Sequence, residues 1–415
     1  MRACWPALLA AVAIVFTPAT ARAQDADSLR AAVARLAAKV DSLEARLDSA
    51  GAAVPSQPAD TTDELAALRA AAGAAARGDS AAPAPAAPGA PAPGPRGANL
   101  LNPEISATGD VRLVARDESP QEDNAVAREF EFAFQSALDP YSSTKVFLTF
   151  SDEEIGVEEG YIYWTGLPGG IRADVGKFRQ QIGDLNRWHL HSLPETEYPL
   201  VYQRFLGEEG LSGIGLSLYA PLPFSLAGGT HEVFLQGTTS ESEPLYAGGR
   251  QPTLLGRIQN FWQLTRATYA QLGFTATGGN NAEADLQSRL LGLDFRFTWR
   301  PPRTGTRENV TLRAEGYRLH SSELGIVTDR YGAFAGLQVQ TSRRWVFGMR
   351  YDWAESPRGL EDTEWRVTPA ITWWQSEFVY LRLQGEHRNS DLAGTRNLLT
   401  AQVVWAMGPH KHETY

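Results

Sequence analysis

From residue 99 onward, this chain is built from short segments in which apolar and polar residues alternate. Residues 344–353 show the pattern best. Trp345, Phe347, Met349, Tyr351 and Trp353 fall on one side, and Arg344, Gly348, Arg350 and Asp352 on the other. A period of two marks a strand, because successive side chains leave opposite faces. Hardly any helical stretch interrupts the series. Bulky aromatics on one face and charges on the other predict an all-β transmembrane barrel with a polar lumen. A soluble two-sheet protein also alternates, but it does not need aromatics near its strand ends all round.

The segments read as strands over 104–116, 127–138, 143–151, 154–166, 171–180, 211–220, 230–239 and 255–264. Eight more follow over 267–278, 287–300, 308–320, 330–341, 343–354, 363–374, 377–389 and 395–407, giving sixteen. The links after strands two, four, eight, twelve and fourteen are tight. Those after odd strands are generally longer, with a brief exception near 152–153. Short turns at one end and long loops at the other are typical of an outer-membrane barrel. An even count returns both barrel ends to the short-turn side, the periplasm. Sixteen antiparallel strands enclose an aqueous channel, whereas eight are filled by their own side chains.

The first 98 residues differ in kind. Residues 1–23 read as a signal peptide: Arg2, an apolar run over 7–16, and Ala21-Arg22-Ala23 before Gln24. The single cysteine, Cys4, lies within it, so the mature chain is expected to hold no disulfide and no cysteine-based site. Within 24–51, Leu29, Val33, Leu36, Val40, Leu43 and Leu47 form a heptad seam, a short coiled-coil segment placed in the periplasm. Residues 52–98 hold a weak helix and a Pro/Ala-rich linker, which is stiff and extended. The barrel domain is then 99–415.

The longest connection, 181–210, follows strand five and is the third on the long-loop side. It carries Trp188, Tyr198, Tyr202 and Phe205, too many aromatics for disorder. The lumen is the one shelter available to them, so the loop is expected to narrow the pore. With strand five it supplies Lys177, Arg179, Arg187, His189, His191, Arg204, Glu208 and Glu209 as constriction residues. Alternation places Glu129, Glu131, Asp294, Arg296, Arg313, Glu315, Arg344, Arg350, Arg366 and Arg382 on the lumen wall.

Two segments, Val175-Gly176-Lys177-Phe178-Arg179 and Phe205-Leu206-Gly207-Glu208-Glu209-Gly210-Leu211, resemble outer-membrane porins similar to the phosphate-selective porin O/P group. The resemblance implies a sixteen-stranded, trimeric channel with a constricting third loop and an N-terminal periplasmic coiled coil. The constriction loop lacks the dense lysine cluster of the phosphate-specific members. The expected function is passive diffusion of small, anionic solutes. The alternative is a zinc-linked uptake protein without a TonB-type plug. Expected partners are outer-membrane lipid and lipopolysaccharide around the barrel, small-molecule solutes within it, and two further copies of the chain. A net charge of −10 argues against nucleic acid. The expected location is the outer membrane of a Gram-negative-type bacterium.

His189 and His191, like His410 and His412, stand two apart. That spacing chelates a metal only on a strand and with further ligands. No third ligand is evident from the sequence, so no metal site and no cofactor are expected. Neither a nucleophile elbow nor a phosphate loop occurs, and no enzyme activity is expected.

Overall fold

The computed structural model describes residues 103–117, 124–151, 155–246, 250–280, 287–301, 308–323, 326–357 and 361–408. The signal, coiled-coil and linker segments expected over 1–98 lie outside these residues, as do His410 and His412.

Among the described residues, sixteen strands close into one antiparallel barrel. They are β1 (Glu104–Arg116), β2 (Asn124–Ala137), β3 (Ser142–Phe150), β4 (Ile155–Leu167), β5 (Ile171–Arg179), β6 (Ser212–Pro221), β7 (Thr230–Glu241) and β8 (Arg250–Thr265). The others are β9 (Thr268–Asn280), β10 (Gln287–Trp299), β11 (Asn309–Glu323), β12 (Ile326–Gln340), β13 (Trp345–Glu355), β14 (Thr363–Trp374), β15 (Val379–Ser390) and β16 (Gly394–Met407). Each pairs with its neighbours in sequence, and β1 closes on β16 with Val111 opposite Val403. Closure leaves no unpaired edge, which a sheet in lipid requires.

The tight links after β2, β4, β8, β12 and β14 are two to four residues long. At the first, Asp139 accepts hydrogen bonds from the backbone N–H groups of Tyr141 and Ser142, both 2.7 Å, so the side chain itself holds the turn. The short–long alternation is less regular than expected. Residues 222–229 and 300–308 make longer links after even strands, and 324–325 a short one after β11.

Alternation fixes the faces. Trp345, Phe347, Met349 and Tyr351 on β13 are exposed outward, while Arg350 and Asp352 are buried inside. Leu291 and Leu293 on β10 point out, and Asp294 in. Two bulges break this rule on one wall. The β1–β2 register shifts at Asp110/Val111 and skips Arg128, and the β3–β4 register shifts at Phe147/Leu148 and skips Glu158. An extra residue re-aims the strand. Arg128 and Glu129, then Glu158 and Glu159, therefore reach the lumen as consecutive pairs.

The apolar core lies inside the barrel. The β5–β6 connection, residues 180–211, contains a single helical turn at Leu190–Ser192 and the short helix α1 (Leu200–Phe205). Ile182, Leu185, Leu193, Tyr198, Tyr202 and Phe205 of this loop bury against Leu245 and Tyr246 of α2 (Glu243–Tyr246). They also pack on Leu290, Tyr317, Leu319 and Phe334 of the wall. Each such side chain contributes about 1.5–3 kcal/mol by leaving water. The aromatics that argued against disorder are what hold the loop within the lumen.

Candidate functional site: the lumen and its third loop

Charged contacts pin the loop around the barrel wall. At its entry, Gly183 takes a left-handed φ of 57°, where an added Cβ would collide with the Glu315 carboxylate and the hydroxyls of Tyr202 and Tyr317. Asp184 follows and accepts from Arg296 (2.9 Å) and Arg313 (3.1 Å). Its own N–H donates to Glu315 (2.9 Å), which also accepts from the Tyr202 hydroxyl (2.8 Å).

Across the lumen, Asp352 is fully buried. It accepts from Arg350 Nε (2.9 Å), Arg366 Nε (3.0 Å) and the backbone N–H of Leu200 (3.1 Å). Arg350 continues to Glu195 (2.7 Å) and the Glu197 carbonyl (3.0 Å). Arg366 reaches the Tyr198 carbonyl (3.0 Å) and Glu386 (3.2 Å). Arg382 donates to the Leu193 carbonyl (2.9 Å), and Arg128 to that of Thr196 (2.6 Å). Buried arginines are stable only when paired and hydrogen-bonded. Here loop carbonyls and carboxylates provide those partners.

The third contact lies on the bulged wall. His189 meets Glu131 through Nδ1, with Glu158 at 3.1 Å, and its Nε2 stands 3.1 Å from Glu159. Burial opposes a charge on this imidazole, yet Glu131 and Glu158 overcome it and raise its pKa well above the ordinary histidine value. The ring of Phe147 packs 4.5 Å from that of His189. His191 is also buried, and its carbonyl accepts from the Tyr380 hydroxyl (2.6 Å).

The predicted residues thus fall into three groups. His189, His191, Glu129 and Glu131 gather on the bulged wall. Arg296, Arg313, Glu315, Arg350, Arg366 and Arg382 line the lumen as alternation predicted, but as anchors for the loop. Asp294 is also inside, and it pairs with Arg257 of β8 (2.6 and 2.9 Å). Arg179 closes the loop from below: it binds Glu158, the Tyr198 hydroxyl (2.9 Å) and the Glu209 carbonyl (2.5 Å). The Gly-Lys-Phe-Arg and Gly-Glu-Glu-Gly segments therefore meet. Arg187 donates to the Arg179 carbonyl (2.8 Å). Arg204 binds Asp362 (2.8 Å) in the link before β14 and Glu364 (2.5 Å) at the start of that strand.

Four expectations need correction. Arg344 is exposed in the β12–β13 turn, because β13 begins one residue later than the lumen assignment required. Lys177 shares its strand face with the outward Val175, and its Nζ donates to the Val157 carbonyl (2.5 Å). Glu208 and Glu209 have exposed side chains, and with Lys177, Arg179 and Glu158 they border a cavity of about 460 Å³ at the end of the loop. Sequence reasoning also missed Asp352, Glu158, Glu159, Arg257 and Asp184. Asp352 was legible as an inward position. The pairs created by bulges were not.

No family model matches the chain. A stretch of 114 residues is 40% identical to a protein of Aquifex aeolicus described only as uncharacterized, covering 27% of this chain and 24% of that protein. The chain thus spans about a quarter of that relative's length. Among solved structures, the anion-selective porin of Comamonas acidovorans superposes with a TM-score of 0.53 at 8% identity, over 74% of this chain and all (100%) of that one. The OprB structure of Pseudomonas putida gives 0.54 at 9% identity, over 74% and 94%. OmpT of Vibrio cholerae, an outer membrane protein, gives 0.51 at 7% identity, over 74% and 97%. The chain has the barrel fold of these proteins.

Proposed function

We propose that the chain is an outer-membrane porin that passes small solutes by diffusion. The observation that carries this reading is the third loop, folded inside a closed sixteen-stranded barrel and bonded to its wall on three sides. A loop so anchored sets the width of an aqueous passage, and the charges at its seam act in a reduced dielectric. The outward apolar faces of β10 and β13 suit lipid. The likeness to porin structures supports the same reading through the fold.

A modest anion preference belongs to the proposal. Arg296, Arg313, Arg350, Arg366 and Arg382 stand on the wall of β10–β15. Asp184, Glu195, Asp352 and Glu386 offset much of their charge, so the preference is small. The heptad seam over 24–51 is proposed to lie in the periplasm and to help three copies associate.

Planar-bilayer recording in a salt gradient tests this. The protein should give discrete channels, slightly more permeable to chloride than to potassium. Deleting residues 193–205 should raise the conductance. Absence of channels removes the porin reading, a cation-selective wild type removes the anion preference, and unchanged conductance after the deletion removes the constriction role.

A further inference from the structure

The bulged wall gathers four carboxylates, Glu129, Glu131, Glu158 and Glu159, in one largely buried spot. Glu158 has Arg179, and His189 bridges Glu131, Glu158 and Glu159. Glu129 differs. It is 7% exposed, faces the lumen beside Glu131, and its Oε2 has no hydrogen-bond partner among the described residues. Glu131, 1% exposed, gives one oxygen to His189, while its Oε1 has no hydrogen-bond partner. An isolated buried carboxylate is strongly unfavourable unless a cation or proton joins it. His191 of the loop completes the group. One donor atom each from Glu129, Glu131 and His191 lie within 4.8 Å of one another.

We propose that Glu129, Glu131 and His191 form a binding site for one divalent transition-metal ion of the zinc class. Two carboxylates with an imidazole make a three-ligand set, to which water adds the fourth ligand of a tetrahedral ion. The imidazole favours zinc-like ions over calcium or magnesium, which take oxygen ligands. His189 bonds the Glu131 carboxylate at Oε2 and so orients it, as an outer partner of a metal ligand commonly does. Two ligands come from β2 and one from the loop, so the ion ties the loop to the wall. Glu129 and Glu131 share the inward face by alternation, and the bulge adds Arg128 beside them. The site does not depend on the channel reading, since binding is measured without transport.

The test uses the full-length mature protein in detergent, stripped by chelator and titrated with zinc chloride. Calorimetry and metal analysis should give one zinc per chain bound at micromolar concentration or tighter, with calcium bound far more weakly. Glu129→Gln should lower zinc affinity by more than about 100-fold, beyond the 10–100-fold range for outer partners. It should leave the metal-free barrel at least as heat-resistant as the wild type, because the carboxyl oxygen it alters has no hydrogen-bond partner among the described residues to lose. His191→Ala should also lose affinity, and zinc should no longer slow proteolysis of the loop. A protein lacking His410 and His412 separates the tail from the site and should bind like the wild type. The proposal is overturned if the wild type binds no zinc. Wild-type affinity in Glu129→Gln or in His191→Ala, or loss of binding with the tail histidines alone, also overturns it.

Discussion

Replacing Asp352 by Ala should release the third loop without unfolding the barrel. The carboxylate is fully buried and accepts from Arg350, Arg366 and the Leu200 N–H at 2.9, 3.0 and 3.1 Å. Removing one side of a buried, hydrogen-bonded pair costs about 3–5 kcal/mol. Arg350 keeps Glu195 and Arg366 keeps Glu386, which holds the loss near the lower end, about 3 kcal/mol. At about 1.4 kcal/mol per factor of ten, the undocked loop becomes more populated by about 100-fold. Backbone pairing of Asp352 with Phe334 and Arg366 does not involve the side chain, so the sheet persists. Trypsin cleavage within the loop, after Arg187 or Arg204, reports the undocked population when opening is fast relative to cleavage. The cleavage rate should rise by the same factor, and single-channel current should become noisier. Arg344→Ala, in an exposed turn, should change neither. If Asp352→Ala is cleaved like the wild type while its barrel remains folded, the argument that this carboxylate docks the loop is wrong.

Gly183→Ala should also undock the loop, since the left-handed backbone and the collision with Glu315 and Tyr202 add about 1–3 kcal/mol of strain; wild-type resistance to trypsin would show that the turn tolerates a side chain. Acid should loosen the tether at Arg204. Burial tends to raise the pKa of Asp362, but hydrogen bonds from Arg204 and Ser390 hold it below the ordinary value of 3.8. A depressed folded pKa gives stability that is present above the unfolded value and lost as pH falls through the folded one. Conductance should therefore stay level down to about pH 4 and shift only below it. Arg204→Gln should remove that acid step, and an identical step in the variant would place its origin elsewhere.

The strands were legible because each carries its own period-two record, which needs no distant residue to be read. All sixteen lie within about five residues of where alternation and turn chemistry put them. The inward places of Glu131, Asp294 and Arg350 follow from the same local rule. So did the fate of the third loop, because four aromatics in a long connection must find shelter. Arg344 was misplaced because a strand's first residue is not fixed by its pattern, and one residue moved it from wall to turn.

What tertiary structure alone decided is which charges meet. His189 joins Glu131 across 58 positions, and Arg350 joins Glu195 across 155. Such pairings depend on how the loop lies in the lumen. Two bulges then turned Arg128 and Glu158 inward beside neighbours that alternation had already placed there. A single inserted residue leaves almost no trace in a hydrophobic pattern, yet it changes the chemistry of the wall. The sequence determines a closed barrel and a loop that must enter it. The register between strands and the path of that loop determine the charged seam, because both are set by contacts between residues far apart in the chain.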